Sequence, residues 1–386
     1  MTPVHIKMQR MLFYVALARR CESMSVVANG AAVGRLRISS RGRRSRARAT
    51  SSLAMPRISR LISYPIKSLP GVSCERIALT STGLALDRVF ALVDAETKVF
   101  VSQRSHPKLA TLGVRVHPVE AFVDPSITKF DVVVSASGME DLVIACDVRS
   151  TSGASASNAM DIECWEWRGE CIDVGEGATK WFSDFMNDGK RYSCVRWAGR
   201  GGFPGNEQDV EGVDVDDAVT RLTSEEYGSR RATTTLTDGF PMLLVNQASI
   251  DAVNAGAKAL DPERAPNVDG RRFRGNVIVD DCPPFAEDRW ASARIADRVD
   301  VELCKPCSRC SIPNIDPETG KFDVSHALAK HMSQARSGAA LGTANRFWRQ
   351  AVFFGWNIIT TAPQDARTVL AVGDDVKVTS TRSKFP

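Results

Sequence analysis

Short runs of β-branched and aromatic residues, separated by turn residues, recur from residue 57 almost to the C-terminus. They include residues 58–64, 88–93, 276–279 and 298–303. Runs of this length and composition are typical of strands. Two further runs, at 130–134 and 141–145, flank a Ser-Gly-Met-Glu turn and predict a hairpin. The chain is therefore predicted to be a β-rich, mixed α+β protein built on antiparallel barrels or sandwiches.

Helices are predicted at the periphery of these sheets. Trp181, Phe182 and Phe185 recur at helical spacing within residues 179–186, which predicts a helix packed on a sheet. Residues 246–255 predict a second helix, with Asn246 near its N-cap. We expect Trp165 and Trp167, like Trp181, to be core aromatic residues.

The positive charge of the chain is concentrated at its N-terminus. The formal net charge is +5, but residues 1–57 hold twelve Lys and Arg against the single acid Glu22. The other 329 residues therefore carry 38 bases against 44 acids, a net charge of −6. A basic surface for nucleic acid is not expected.

The first 56 residues have the composition of an organellar transit peptide, because they are rich in Arg, Ser and Ala and almost lack acids. A secretory signal is the less favoured alternative. The apolar run at 11–18 is only eight residues long, whereas a membrane-spanning helix needs roughly 20. We expect no transmembrane span anywhere in the chain.

One break in composition divides the remaining sequence. Gly199-Arg-Gly-Gly-Phe-Pro-Gly205 runs into the acidic stretch 209–217. We therefore predict an N-terminal domain at 57–198, a linker at 199–217 and a second domain at 218–384.

Three of the ten cysteines form one cluster, Cys304-x-x-Cys307-x-x-Cys310. A tetrahedral zinc or a cubane cluster needs four protein ligands, and Cys282 is the one plausible fourth thiol in this half. His326 and His331 are five residues apart, which places them about 140° apart around a helix. A zinc or iron–sulfur site is therefore less favoured.

A disulfide within the cluster is also less favoured, because Pro306 and Pro313 predict a turn here, whereas a redox pair usually opens a helix. The pattern favours a single metal whose other ligands come from a cofactor. We expect Cys304 and Cys307 to be structural and Cys282 to be a packing residue. The sequence contains no G-x-S-x-G, P-loop or H-E-x-x-H motif, and its histidines form no convincing catalytic pair.

Five motifs in a fixed order resemble one known family. They are Tyr64-Pro-Ile-Lys67-Ser68, Leu86-Asp87-Arg88, Arg272-Phe-Arg274-Gly-Asn276, Cys307-Ser-Arg-Cys310 with Asp316-Pro-Glu-Thr-Gly320, and Val372-Gly-Asp-Asp-Val376. Together they resemble the molybdenum-cofactor sulfurase C-terminal (MOSC) domain proteins and, among them, the mitochondrial amidoxime reducing components. The resemblance covers about residues 57–382.

The resemblance implies a fold, a cofactor and a site. The fold would be an N-terminal β-barrel followed by a barrel-like MOSC domain with peripheral helices. The two domains would hold a molybdenum cofactor (Mo-molybdopterin) between them. Cys310 matches the cysteine that binds molybdenum and serves catalysis. Phe240 departs from the small or hydroxylated residue of the family. The residues matching cofactor-binding positions are Lys67, Ser68, Arg88, Asp238, Gly239, Arg274, Asn276, Ser308, Arg309 and Asn357.

Elementary chemistry agrees with this assignment. A buried phosphate needs guanidinium or ammonium partners, and Arg88, Arg274 and Lys67 are of the right types. A cysteine binds a metal as thiolate, which suits Cys310. The alternative for each cation, taken singly, is a surface ion pair at a strand end.

The resemblance also implies an activity. It would be the reduction of N-hydroxylated compounds such as amidoximes, hydroxylamines, hydroxamic acids and N-oxides, with nitrite reduction to nitric oxide as an extension. Electrons would come from cytochrome b5 and its NADH-dependent reductase. The location would be mitochondrial, with the chloroplast as the alternative. A cofactor carrier or sulfur-transfer module without reductase activity is the second hypothesis, and a structural zinc protein is the third.

Overall fold

The computed structural model describes residues 55–147, 158–198, 221–223, 227–361 and 368–386. Its strands are β1 (Arg57–Ser63), β2 (Val72–Cys74), β3 (Arg76–Thr80), β4 (Gly83–Leu84), β5 (Phe90–Asp94), β6 (Gly113–His117), β7 (Lys129–Ser135), β8 (Leu142–Asp147), β9 (Ala159–Cys164), β10 (Trp167–Asp173), β11 (Tyr192–Trp197), β12 (Met242–Asn246), β13 (Val277–Asp280), β14 (Trp290–Ile295), β15 (Val299–Ser308), β16 (Ile315–Asp316), β17 (Lys321–Phe322), β18 (Phe353–Thr360), β19 (Val369–Ala371) and β20 (Val376–Thr381). Its α-helices are α1 (Glu176–Met186), α2 (Gln247–Leu260), α3 (Gly270–Phe273) and α4 (Ala327–Arg336). The predicted β-rich, mixed α+β class is confirmed.

The largest sheet joins the beginning and the end of the described sequence. Its eight strands lie in the order β2-β1-β13-β12-β18-β15-β14-β20. β1 pairs antiparallel with β13, so that Leu61 lies opposite Val277, and β19 pairs with β3. The N-terminal strands therefore complete a sheet made mostly of C-terminal ones, which brings residues from both halves to one place. The predicted linker lies outside the described residues, as does the predicted transit peptide apart from Met55 and Pro56.

The remaining strands form smaller sheets around a common core. One has the order β5-β11-β10-β9 and another has the order β6-β7-β8. The predicted hairpin at 130–145 is confirmed as β7 and β8, with Val132 opposite Ile144. Phe130, Val132 and Val134 are buried and alternate with more exposed residues, as expected for a strand with one face on the core.

Both predicted helices are confirmed. α1 buries Phe182 and Phe185 against the core, while Trp181 is only partly buried and stacks on Phe185. α2 follows Asn246, whose side chain accepts a hydrogen bond from the Ala248 amide at 3.0 Å. This is the expected N-cap arrangement, because it satisfies one of the amides that a helix start leaves unpaired. No helix among the described residues is long and apolar enough to span a membrane.

The cysteine cluster differs from its predicted turn. β15 continues through Cys304 and Cys307 to Ser308 and pairs with β18. The register shifts twice, between Leu303 and Lys305 and between Pro306 and Ser308. Such irregularities accommodate a proline within a strand. The chain therefore turns only after Ser308, and Cys310 alone of the three thiols lies beyond the strand.

Candidate functional site

A cleft of about 440 Å³ lies between residues of the two sequence halves. This volume is in the usual range of small-molecule and cofactor sites, roughly 300–1,000 Å³. Its walls come from the loops before and after β5, the β9–β10 turn, β12 and the segment before it, the α3–β13 connection, the end of β15 with the segment that follows, and β18. Of the predicted site residues, those that line the cleft are Arg88, Asp238, Arg274, Asn276, Ser308, Arg309, Cys310 and Asn357.

Asp87, Arg88 and Asn276 form one hydrogen-bonded unit that joins the halves. Arg88 Nη1 donates to Asp87 Oδ2 at 2.5 Å and to Asn276 Oδ1 at 3.1 Å. Asn276 Nδ2 donates to Asp87 Oδ1 at 3.0 Å. Burial alone would lower the pKa of Arg88, but the Asp87 carboxylate beside it raises that pKa overall. The guanidinium is thus held charged and oriented at the cleft wall.

The Tyr64 ring carries two guanidiniums. The central carbons of Arg88 and Arg274 each lie 4.3 Å from the ring centroid, and Arg274 Nη1 donates to the Leu69 carbonyl at 2.7 Å. Burial, and then the charge of Arg88, lower the pKa of Arg274 to about 10. Arg274 therefore remains protonated at neutral pH. We call Tyr64, Asp87, Arg88, Arg274 and Asn276 the buried frame.

Arg274 lacks a carboxylate partner among the described residues. None of the ion pairs within the described ranges involves it, although it lines the cleft. A cation desolvated beside another cation is costly unless an anion approaches both. The frame therefore has the charge and the geometry to bind an anion.

Several residues of this region have left-handed backbone conformations. Ser68 has φ 71°, Arg88 has φ 49° and Arg274 has φ 56°. Residues other than glycine rarely adopt positive φ, and such conformations cluster at functional sites. Three of the predicted cofactor-binding residues therefore carry backbone strain, which is a signal independent of their side-chain types.

Three predicted residues do not line the cleft. The buried Lys67 ammonium donates to Asp238 Oδ1 and lies 5.0 Å from the Phe100 ring centroid. Ser68 is buried and donates to the Val101 carbonyl at 3.2 Å. Gly239 lies beside Asp238 with φ 125°. Lys67 thus reaches the site through Asp238: loss of hydration alone would raise the pKa of that carboxyl, but the adjacent ammonium lowers it well below its usual range.

The three clustered thiols have different surroundings. Cys310 is exposed and lines the cleft. Cys307 is half-buried, also lines the cleft, and accepts a hydrogen bond from Arg309 Nη1 at 3.2 Å. Cys304 Sγ instead donates to the Asn357 carbonyl at 3.2 Å, and burial raises the pKa of this thiol to about 12. We call residues 304–310 the thiol segment.

The arrangement offers a metal one exposed thiol. In the described part of the chain, no three His, Cys, Asp or Glu side chains are grouped so that they could hold a metal ion. Cys282, the one plausible fourth thiol of the sequence, packs against the main core, as expected of a packing residue, and burial raises its pKa to about 12. A metal at Cys310 would therefore need its other ligands from a bound group.

Arg309 supplies a second indication of a ligand site. Its Nη2 donates to the Phe273 carbonyl at 2.9 Å. Its Nε is buried and has no hydrogen-bond partner among the described residues. Buried donors without a partner are rare in folded proteins, and an acceptor atom of a bound ligand would satisfy this one. The unpaired donor, the cationic wall and the exposed thiol fit a phosphate-bearing cofactor whose metal takes one protein thiolate.

Other residues line the cleft that were not predicted as site residues. Trp165 was predicted as a core residue but lies at the tip of the β9–β10 hairpin with φ 60°. Its contacts to Phe100 and Asp238 come from segments 65 or more residues away along the chain, so no local pattern could reveal them. Phe240, the departure from the family pattern, also lines the wall. The further lining residues are Arg104, Glu166, Thr237, Met242, Leu243, Phe273, Lys305, Pro306, Cys307 and Ile312.

The fold and the cleft together describe a β-rich protein in which both sequence halves line one cleft suited to an anion. Family models match both halves of the sequence. The MOSC N-terminal beta barrel domain matches residues 55–189, and the MOSC domain matches residues 231–377. The chain belongs to the MOSC domain proteins.

Relatives of two kinds are found. The chain is 27% identical over 271 residues to the molybdenum cofactor sulfurase of Solanum lycopersicum, a match that covers 67% of this chain and 29% of that protein. It is 25% identical over 277 residues to the mitochondrial amidoxime-reducing component 1 of Mus musculus, covering 70% and 69%. It is also 25% identical over 276 residues to component 2 of Bos taurus, covering 70% of each. The chain thus spans under a third of the tomato protein but more than two thirds of the two mammalian ones.

Proposed function

We propose that this protein is a molybdenum-cofactor-dependent reductase of N-hydroxylated compounds. The observation that carries the proposal is the cleft itself. It places one exposed thiol, Cys310, together with several guanidinium groups that an anion would stabilise, and the buried Nε of Arg309 has no hydrogen-bond partner among the described residues. The alignments with the amidoxime-reducing relatives support it further, because they cover 69% and 70% of those proteins.

The chain's own residues would hold the cofactor in two ways. Arg274 and Arg88 on the Tyr64 ring, together with Arg309, would bind the phosphate and the polar atoms of the pterin through charge-assisted hydrogen bonds. Cys310 would ligate molybdenum as a thiolate. When bound, the cofactor supplies the two-electron chemistry, while the protein fixes its orientation and controls access.

The substrates and partners follow from the same family resemblance. We propose amidoximes, hydroxylamines, hydroxamic acids and N-oxides as substrates, with nitrite as a further one. Cytochrome b5 and its NADH-dependent reductase would deliver the electrons, and the location would be mitochondrial. Because residues 58–386 carry a net charge of −6, docking of an acidic cytochrome would require a local basic surface.

A second candidate function is that of a cofactor carrier or sulfur-transfer module. The match to the molybdenum cofactor sulfurase favours it, because 67% of this chain aligns with that protein. Such a protein would bind the cofactor in the same cleft without reducing N-hydroxylated compounds. The distinction therefore lies in turnover and not in cofactor content.

Elemental and pterin analysis of the purified protein tests these candidates. Stoichiometric molybdenum and pterin, together with reduction of benzamidoxime by reduced cytochrome b5, are expected. Molybdenum without turnover would favour the carrier. Zinc without molybdenum would contradict both and support a structural metal protein.

A further inference from the structure

Arg104 stands apart from the other arginines of the cleft. It is half-buried and lines the cleft, and its guanidinium carbon lies 4.1 Å from the centroid of the Trp165 ring system. Trp165 is itself fixed, because its Nε1 donates to Asp238 Oδ1 at 3.0 Å and its rings pack 4.8 Å from those of Phe100. The aromatic platform therefore holds the guanidinium in one place on the cleft wall.

Arg104 makes no hydrogen bond with any residue that the structure describes. Arg88, Arg274 and Arg309 each donate to carbonyl or carboxylate oxygens. For Arg104, the described residues provide a ring contact but no hydrogen bond or ion pair. When the flat face of a guanidinium stacks on an aromatic ring, the N–H donors along its edge remain available. Two of these donors can bind the two oxygens of a carboxylate at once.

The nearby carboxylates already have cations of their own. Asp238 accepts from the Lys67 ammonium. Glu166, at the same hairpin tip, lies 4.0 Å from Arg221. Arg104 interacts electrostatically with Asp238, but among the described residues it forms no ion pair with either carboxylate. Its N–H donors therefore remain open to an external anion.

We infer that Arg104 binds a carboxylate carried by the substrate. Since Arg88 and Arg274 share the Tyr64 ring and Arg104 lies instead on Trp165 at the hairpin tip, the cofactor and the substrate anion would use different cations. The inference rests on the proposed function and specifies its substrate class. The cleft selects N-hydroxylated compounds that bear a carboxylate.

Steady-state kinetics with two matched substrates test the inference. Benzamidoxime and 4-carboxybenzamidoxime differ only in the anionic group. In the wild type, the KM for the carboxylate substrate should be the lower one. Arg104→Met should raise that KM by about tenfold, as expected for loss of a charge-assisted hydrogen bond. It should leave kcat and the KM for benzamidoxime within about twofold of wild type, and Arg104→Lys should restore part of the preference.

Two further variants complete the design. Arg168→Met is the matched control, because Arg168 lies on β10 of the same hairpin with a side chain 80% exposed and paired with Glu163. It should change neither KM. Trp165→Leu removes the platform, and it should weaken the carboxylate preference by a smaller factor than Arg104→Met.

Equilibrium binding separates this inference from the proposed function. Calorimetry on the cofactor-loaded protein compares 4-amidinobenzoate, a reduction product, with benzamidine. The carboxylate compound should bind more tightly, and Arg104→Met should abolish the difference. If that result appears without reduction of either amidoxime, the reductase proposal fails and the carboxylate site stands. Loss of molybdenum or pterin in Arg104→Met, or equal effects on charged and neutral compounds, would overturn the carboxylate site.

Discussion

The two sides of the cleft differ in how strongly their residues contact one another. The buried frame consists of residues that bind one another, so that Arg88 contacts Asp87, Asn276 and Tyr64 at once. In the thiol segment the neighbours diverge: Cys304 is turned to the Asn357 carbonyl, while Cys310 is exposed beyond the end of β15. Binding and folding are therefore inseparable in the frame. In the thiol segment, the residue proposed for the chemistry can change at little structural cost.

The largest expected effect comes from Cys310→Ser. An alkoxide is a harder and poorer donor to molybdenum than a thiolate. We expect amidoxime reduction with reduced cytochrome b5 to be abolished, whereas the melting temperature and most of the pterin are retained. Activity assay, calorimetry and pterin fluorescence measure the three quantities. A large drop in melting temperature would show that the exposed thiol is structural. It would contradict the conclusion that the thiol segment, unlike the buried frame, can change at little structural cost.

Arg88→Ala should damage both binding and folding. It leaves the buried Asp87 carboxylate without its cation, at a cost of about 2–5 kcal/mol in the free energy of unfolding. Cofactor retention should fall at the same time, as it should in Arg274→Ala. Denaturant unfolding and molybdenum analysis give the two readings.

Arg57→Ala is the matched control for Arg88→Ala. Arg57 donates to Asp375 at 2.9 Å, but its side chain is 57% exposed, and surface pairs of this kind contribute about 0–1 kcal/mol. We expect stability and molybdenum content close to wild type. If the molybdenum content is unchanged in both Arg88→Ala and Arg274→Ala, these two residues do not bind the cofactor phosphate.

The sequence predicted the frame better than the walls around it. The frame lies on compact motifs, such as Leu86-Asp87-Arg88 and Arg272-Phe-Arg274-Gly-Asn276, whose order along the chain identifies the family. The strands and the Asn246 cap also followed from local periodicity and capping chemistry. Trp165 enters the cleft because a hairpin tip meets the segment before β12, and Arg104, from the loop after β5, stacks on it. Such long-range placement has no local signature.

The thiol segment shows a different kind of error. Pro306 suggested that the chain turns there, since proline cannot donate to a strand ladder. The register shifts on either side of Lys305 and Pro306 instead let β15 pair with β18 through the proline. Because tertiary pairing overrode the local preference, two cysteines predicted for a turn lie in a strand.

Two substitutions of Tyr64 separate the contribution of its ring to cofactor retention from that of its hydroxyl. Tyr64→Phe removes only the hydrogen bond from the hydroxyl to the Gly275 carbonyl at 3.2 Å, at a cost of about 1 kcal/mol. Tyr64→Leu also removes the ring that both guanidiniums contact, and each such contact contributes about 0.5–2 kcal/mol. We expect cofactor retention to be near wild type in the first variant and clearly reduced in the second. Equal retention in the two would mean that the ring does not position the guanidiniums.

The smallest effects are expected from Cys304→Ser and Cys307→Ser. A serine hydroxyl at 304 can still donate to the Asn357 carbonyl, and at 307 it can still accept from Arg309. Each variant should therefore lose no more than about 1–2 kcal/mol of stability, mostly from placing a more polar group in a partly buried site. Molybdenum content and most of the activity should remain. A zinc or iron–sulfur site shared by the three thiols would instead lose its metal on any of the three substitutions. Equal collapse of Cys304→Ser, Cys307→Ser and Cys310→Ser, with zinc or iron in the wild type, would therefore refute the assignment of a single thiolate to molybdenum.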